Sequence, residues 1–330
     1  MPVPPPLHRV GVTLPICQAP IGSLASPELA AAVANAGGLG HVACTWRDLD
    51  DLGPFLRCVR ALTSRAFGAN FVLDFPITER LAIALDEGVP VVSFFWGDGA
   101  PHLPRVREAG AVAIQVVGSV DEARRAADAG FDLVVVQGCD AGGHLRGTQG
   151  TMTLVPEVVD AVGPLPVLAG GGIADRRGVA AAFALGAAGV WVGTRFIAAR
   201  EADAHATYQE SIVGARGADT VLSTLFDIGW PDAAMRTLRN STVRAWEAAG
   251  RPAPADRPNE GEVIGRRGSG PRQRTLPRYH FGAPTRDAVG EIEAMALYAG
   301  EGTGLVRRIE SAAAIVAELA AGVPAQVPSA

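Results

Sequence analysis

The 330-residue chain predicts an α/β fold: a single (β/α)8 TIM barrel with a helical insertion after the eighth strand. Three observations carry this. Helix-like stretches end at glycine, and short β-branched runs follow at once. Those runs are almost continuously apolar, as parallel strands buried on both faces must be. Eight of them precede residue 195, more than an open doubly wound sheet usually holds.

The first run is 16–19, and Asn35-Ala36-Gly37 leads into the second at 39–42. The third is 67–70, and Glu87-Gly88 precedes 89–94. Glu108-Ala109-Gly110 precedes 112–117, and Asp128-Ala129-Gly130 precedes 133–136. Val162-Gly163 leads to 167–169 and Leu185-Gly186 to 190–192. Glycine at these joints suits the left-handed residue that closes a helix. Beyond 195 the texture changes. Residues 198–212 read as a helix, and 221–249 look helical despite Trp230-Pro231. Residues 251–278 are rich in Arg, Pro and Gly, their seven arginines expected to face water. Residues 286–299 and 305–321 read as helices. The expected organisation is a barrel from 1–214 and 286–330, with 215–285 inserted as a helical and loop region. An insertion there lies at the C-terminal face, where barrel active sites are, and is expected to cover the substrate. Trp230, Met235, Tyr279 and His280 are its candidates to reach the pocket.

Composition excludes several classes. Hydrophobic residues make up 48% and charged residues 19%, enough for one large core and unlike a disordered chain. A net charge of −5 gives no basic surplus for nucleic acid. Residues 1–6 are proline-rich without the charged and apolar regions of a signal peptide, and no apolar run spans a bilayer, so a cytoplasmic enzyme is expected. Cys17, Cys44, Cys58 and Cys139 lack CxxC spacing, which argues against a disulfide framework or zinc site.

Three motifs carry chemistry. Ala169-Gly170-Gly171-Gly172-Ile173 follows the seventh strand and Gly193-Thr194 the eighth. These loops are the usual phosphate site of such barrels, because glycine lets backbone N–H groups approach an anion. Flavin mononucleotide, nucleotides and sugar phosphates all fit that pair. Gln137-Gly138-Cys139-Asp140-Ala141-Gly142-Gly143-His144 follows the sixth strand. Its glycines allow the loop to lie flat on a planar ligand, with His144 over the barrel mouth as base or hydrogen-bond donor. Gln18, Asn70 and Gln115 offer amides suited to the polar edge of an isoalloxazine, and Trp96 could supply an apolar wall.

Together with Gln18-Ala19-Pro20-Ile21-Gly22 and Gly193-Thr194-Arg195-Phe196, these motifs resemble the nitronate monooxygenases. The segments 207–211 and Tyr298-Ala299-Gly300-Glu301-Gly302-Thr303-Gly304-Leu305 are similar to further parts of that family. The resemblance covers the chain except about 215–285. It implies FMN as cofactor and O2-dependent oxidation of alkyl nitronates to a carbonyl compound and nitrite, through a flavosemiquinone. It also implies His144 as the catalytic residue. Ala19, Pro20, Ile21, Gly22, Asn70, Gln115, Gly142, Gly143, Gly171, Gly172, Gly193 and Thr194 would hold FMN, and no metal is implied. Departures are Ile21 where the family often has Met, Asp140 before the Ala-Gly-Gly turn, and Glu301 where Gln is frequent. A carboxylate at 301 would raise the cost of an anionic flavin. The alternative activity is NAD(P)H-dependent reduction of a quinone or enoyl thioester, and a non-catalytic flavin or phosphate-ligand binder is a third reading. The expected partners are a small-molecule substrate and O2, with NAD(P)H and a homodimer to be tested.

Overall fold

The computed structural model describes residues 3–325; residues 1–2 and 326–330, the ends of the proline-rich start and of the C-terminal barrel segment, lie outside it. All eight expected strands are present, as Ile16–Gln18, Gly40–Ala43, Phe67–Val72, Val91–Phe95, Val112–Val117, Leu133–Gln137, Val167–Gly170 and Gly189–Val192. Each pairs in parallel with its neighbour, the first beside the eighth and the second beside the third. Closure runs through Leu39, whose N–H donates to Ile16 O and whose carbonyl accepts from the Gln18 N–H, both at 2.9 Å. The ring of strands therefore has no free edge.

Alternation along the strands sorts the side chains. Cys17, Val91, Ile114, Val116, Leu133, Val135, Leu168 and Trp191 pack together inside the barrel. Leu7 and Val12 join that cluster from the N-terminal helix Pro5–Arg9 and the turn behind it. The intervening residues, Val42, Ala69, Val92, Val134 and Val190 among them, face the helix layer. Local signals place the helices. Ser26, Ser119 and Ser311 cap Pro27–Asn35, Val120–Ala129 and Ala312–Ala320 by accepting the N–H three residues on. Gly130, with φ +82°, closes the second of these.

Beyond the barrel the expected helices need correction. Only Ala206–Gly214 of 198–212 and Ala312–Ala320 of 305–321 are α-helical. Residues 198–205 form turns, with isolated bridges from Ala199 to Glu310 and from Ala204 to Thr285. Residues 286–299 form the short strand Val289–Gly290 and a 3-10 turn, not a helix. The regular structure of the insertion is more strand than helix. Thr220–Ser223 and Met235–Leu238 form an antiparallel pair, and only Ser241–Ala248 is helical. Val263–Arg267 and Arg274–Pro277 form a hairpin that Val289–Gly290 extends. In each case a partner strand decides the backbone, and the local periodicity of 221–249 says nothing of such partners. No helix among the described residues is long and apolar enough to cross a membrane.

The His41 side chain is wholly buried inside the barrel wall. Its ring lies 4.4 Å from that of Trp191, and neither ring nitrogen has a hydrogen-bond partner. Burial holds its pKa down at about 3. The unfolded chain, with an ordinary histidine near 6.5, therefore takes up this proton first as pH falls. Stability is full above about pH 6.5 and declines toward pH 3. His41→Leu removes the unpartnered nitrogens at similar volume. Its unfolding free energy at pH 7 should be unchanged or higher by about 1 kcal/mol, with acid unfolding moved to lower pH. Denaturant titrations across pH check this, and a loss above about 2 kcal/mol at pH 7 would contradict it.

Candidate functional site

The C-terminal ends of the barrel strands open into a cavity of about 240 Å³. The loop after the first strand brings Ala19, Pro20, Ile21 and Gly22 to it, and the third strand brings Asn70. Gly142, Gly143 and His144 come from the loop after the sixth strand. Gly171 and Gly172 follow the seventh strand, and Gly193 and Thr194 the eighth. Eleven of the twelve residues expected around a cofactor thus meet in one place, together with His144.

Gln115 is the exception and corrects the expectation. Ile114 and Val116 point into the barrel, so Gln115 between them points outward. Its amide donates to Phe94 O, Gly97 O and Val116 O and accepts the Gly99 N–H at 3.1 Å. Nothing remains for a ligand. Gln18 follows the same rule: Cys17 faces inward, and Gln18 Oε1 accepts the His41 N–H at 3.0 Å. Gln137 has the opposite parity. It lines the cavity, its Nε2 donates to His144 O at 3.0 Å, and its buried Oε1 has no partner. Alternation from Leu133 and Val135 would have found it in the sequence.

His144 sits on a strand borrowed from the insertion. Gly143–His144 pairs with Met235–Leu238, Met235 opposite His144 and Arg236 opposite Gly143. The Arg236 guanidinium is buried and donates twice to Cys139 O, at 3.0 and 2.8 Å, and once to the Thr220 hydroxyl at 3.2 Å. Its ion pair with Glu301, at 3.2 Å, turns that carboxylate away from the cavity. The charge cost expected of Glu301 is therefore offset locally. Asp140 likewise faces protein: Thr151 donates to it through its hydroxyl at 2.6 Å. A Cβ at Gly171 or Gly172 would come within 2.6 and 2.8 Å of the Asp140 carboxylate. Close approach of two loops is thus one reason for glycine there. The left-handed φ of +65° at Gly172 is another.

Four aromatic rings surround His144. Trp230 stacks on it at 3.9 Å and 24°, and its indole N–H is tied to Asp74 at 3.0 Å. Tyr298 lies at 5.4 Å, Phe281 at 6.4 Å and the edge of Trp96 at 6.1 Å. Trp96 buttresses the histidine and does not line the cavity. Of the insertion candidates only Trp230 reaches it. Met235 and Tyr279 are wholly buried beside Phe226, and His280 Nδ1 accepts the Gly282 N–H at 2.8 Å. Arg267, Phe281, Trp191 and Tyr298 line the cavity without having been singled out as site residues. His144 Nε2 is buried with no partner, and burial holds the ring pKa down at about 3. The imidazole is therefore neutral at ordinary pH.

The wall fits a flavin. Gln137 Oε1 can accept and His144 Nε2 can exchange a hydrogen bond with a ring edge. Gly172 and Ile173 donate no backbone hydrogen bond within the described residues, leaving N–H groups for a phosphate. At Gly142 a Cβ would sit 2.4 Å from Gly300 N, so no other residue keeps this wall flat.

A family profile described as "Nitronate monooxygenase" matches residues 6–322. A Mycobacterium tuberculosis protein, "(3aS,4S,5R,7aS)-5-hydroxy-7a-methyl-1-oxo-octahydro-1H-indene-4-carboxyl-CoA dehydrogenase", is 38% identical over 250 residues, covering 75% of this chain and 69% of its own. The nitronate monooxygenase of Pseudomonas aeruginosa is 36% identical over 264 residues, covering 65% of this chain and 74% of its own. Among solved structures, FabK from Thermotoga maritima superimposes with a TM-score of 0.80 at 32% identity, covering 95% of this chain and 93% of its own. Nitroalkane oxidase from Streptomyces ansochromogenes gives 0.78 at 30%, covering 96% and 97%.

Arg236→Met should leave the Cys139 carbonyl without its donors and Glu301 without its partner. The expected cost is about 1–3 kcal/mol, read as a lower thermal midpoint together with weaker cofactor retention. Unchanged stability and retention would show that the clamp does not hold the histidine turn.

Proposed function

The chain belongs to the nitronate monooxygenase family, and from that premise we propose that it is an FMN-dependent oxidoreductase that oxidises alkyl nitronates and their parent nitroalkanes beside His144. The observation that carries this reading is the buried, unpartnered Nε2 of a neutral His144 in a glycine-walled cavity. FMN, when bound, would supply the redox chemistry, taking electrons from the substrate and delivering them to O2.

This chain's residues have three tasks. The glycines of the first, seventh and eighth loops would cradle the phosphate, and Asn70 and Gln137 would orient the ring by hydrogen bonds. The aromatic wall of Trp230, Tyr298 and Phe281 excludes water. His144 acts as a base: its neutral nitrogen takes the proton α to the nitro group, and the imidazolium formed pairs with the nitronate anion in a low-dielectric pocket. The depressed pKa favours this role over a standing positive charge, so a neutral nitroalkane is within reach as well as a preformed nitronate. The inserted region would serve as the cover over the substrate, since Trp230 and Phe281 reach the cavity from it.

One observation favours a second reading. Arg267 is the single charged side chain on the cavity wall among the described residues, and neither a nitro group at His144 nor the flavin ring calls for it. An NAD(P)H-dependent reduction of a quinone or an enoyl thioester would use it, and the 38% identical M. tuberculosis relative is named for a CoA thioester.

His144→Ala should retain bound yellow flavin and lose turnover of a nitroalkane by about 10²–10⁴-fold. Parent-level turnover in that variant would remove His144 from the chemistry. With the parent enzyme, kcat/KM for a neutral nitroalkane, measured below the pH where the substrate itself ionises, should show no acid limb near 6.5, because the base stays unprotonated down to about 3. A limb centred near 6.5 would show that His144 titrates as an exposed histidine does. Anaerobic mixing with NADPH separates the two readings: an unchanged flavin spectrum supports nitronate oxidation, and rapid bleaching supports the reductase.

A further inference from the structure

We propose that the hairpin Val263–Arg267 and Arg274–Pro277 makes the cavity mouth a phosphate-recognition site, so that the reactant entering it carries a phosphorylated tail. The inference rests on reading the cavity as the substrate site beside His144, and on no particular oxidised group.

Arg267 and Arg274 stand directly opposite one another in the hairpin register, so both guanidinium groups leave the same face. Arg267 lines the cavity and has no hydrogen bond or ion pair among the described residues. Burial, and then the charge of Arg274, hold its pKa below the usual arginine value, as befits a cation without a counterion. The acid that influences it is Asp287, already occupied by the Gly268 N–H at 2.8 Å and the Thr285 hydroxyl at 2.6 Å. Arg274 meets Asp48 only at 3.7 Å, with both side chains about two-thirds exposed. Such a contact neutralises little. A pair of uncompensated guanidinium groups on one face suits a phosphate better than a single carboxylate.

Position separates this mouth from the flavin phosphate. Arg272 and Arg274 reach Asp51 and Asp48, which follow the second strand, whereas Gly171–Gly172 and Gly193–Thr194 follow the seventh and eighth. The first strand lies between the second and the eighth. Phe281 stands between the two ends of the cavity. Its ring is 6.4 Å from that of His144, and the adjacent Gly282 Cβ position is 3.7 Å from Arg267 Nη1. A molecule touching both His144 and Arg267 therefore spans the part of the cavity that Phe281 lines, with its anion at one end and its reacting atom at the other. Trp46, 38% exposed at the same mouth and tilted against Phe281 at 5.6 Å, offers an apolar flank to the connecting part. Two carriers share this chemistry, a coenzyme A thioester and a nicotinamide dinucleotide phosphate.

The test is calorimetric titration of the flavin-loaded protein with coenzyme A, NADPH and uncharged pantetheine. Coenzyme A or NADPH should bind, pantetheine should bind far more weakly, and Arg267→Gln should weaken the productive ligand by about 10–100-fold. Arg267→Lys, which keeps the charge, should retain part of that affinity. Preference for coenzyme A identifies a thioester, and preference for NADPH identifies a dinucleotide; both support the site. Equal binding of pantetheine and coenzyme A would overturn it, as would affinity unaltered in Arg267→Gln. Loss of flavin from a folded Arg267→Gln protein would also overturn it, since the arginine would then belong to the cofactor. Because binding is read without turnover, the result stands apart from whether nitroalkanes are oxidised.

Discussion

His144 is held in place by a strand that the barrel does not own. Gly143–His144 becomes β-structure because Met235–Leu238 of the insertion pairs with it, and Arg236 on that strand clamps the carbonyl of Cys139. A buried guanidinium with three acceptors is rigid, and the turn it grips carries Gly142 and Gly143. The insertion also supplies Trp230, which fixes the imidazole plane while Asp74 fixes the indole. Barrel and insertion are thus one unit at the site: the barrel gives the glycine loops, and the insertion aims the histidine.

The same packing sets the electrostatics. Aromatic rings and glycine backbone surround His144, and among the described residues no carboxylate lines the cavity to raise its pKa. Dry surroundings favour the neutral base and strengthen every charge that forms during reaction. Among the described residues, Arg267 is the one charged side chain on the cavity wall. A neutral end at His144 and a cationic entrance divide the cavity by chemistry as well as by position.

The barrel was legible because its signals are local. Glycine closing a helix ahead of an apolar run recurs six times, and all eight apolar runs became strands. The Gly-Gly-His turn and the two glycine loops were legible for the same reason. Gln115 failed where strand parity was ignored: Ile114 and Val116 claim the interior, so Gln115 cannot, while Gln137 can. The insertion failed for a different reason. Thr220–Ser223 and Met235–Leu238 are strands only because each finds a partner, and that pairing is written in tertiary contacts. Arg267 was grouped with arginines facing water, since its position opposite Arg274 follows from a turn at Gly268 to Gly270 that composition alone does not announce.

The central claim, that a flavin mononucleotide lies across this barrel mouth with His144 at its ring, is met most directly by a crystal structure of the protein as purified. The account predicts a flavin with a single phosphate held by Gly171–Gly172 and Gly193–Thr194. It also predicts a ring edge within hydrogen-bond distance of Gln137 Oε1, with the open ring face toward His144. A colourless protein, or a flavin whose ring lies away from His144, would contradict it.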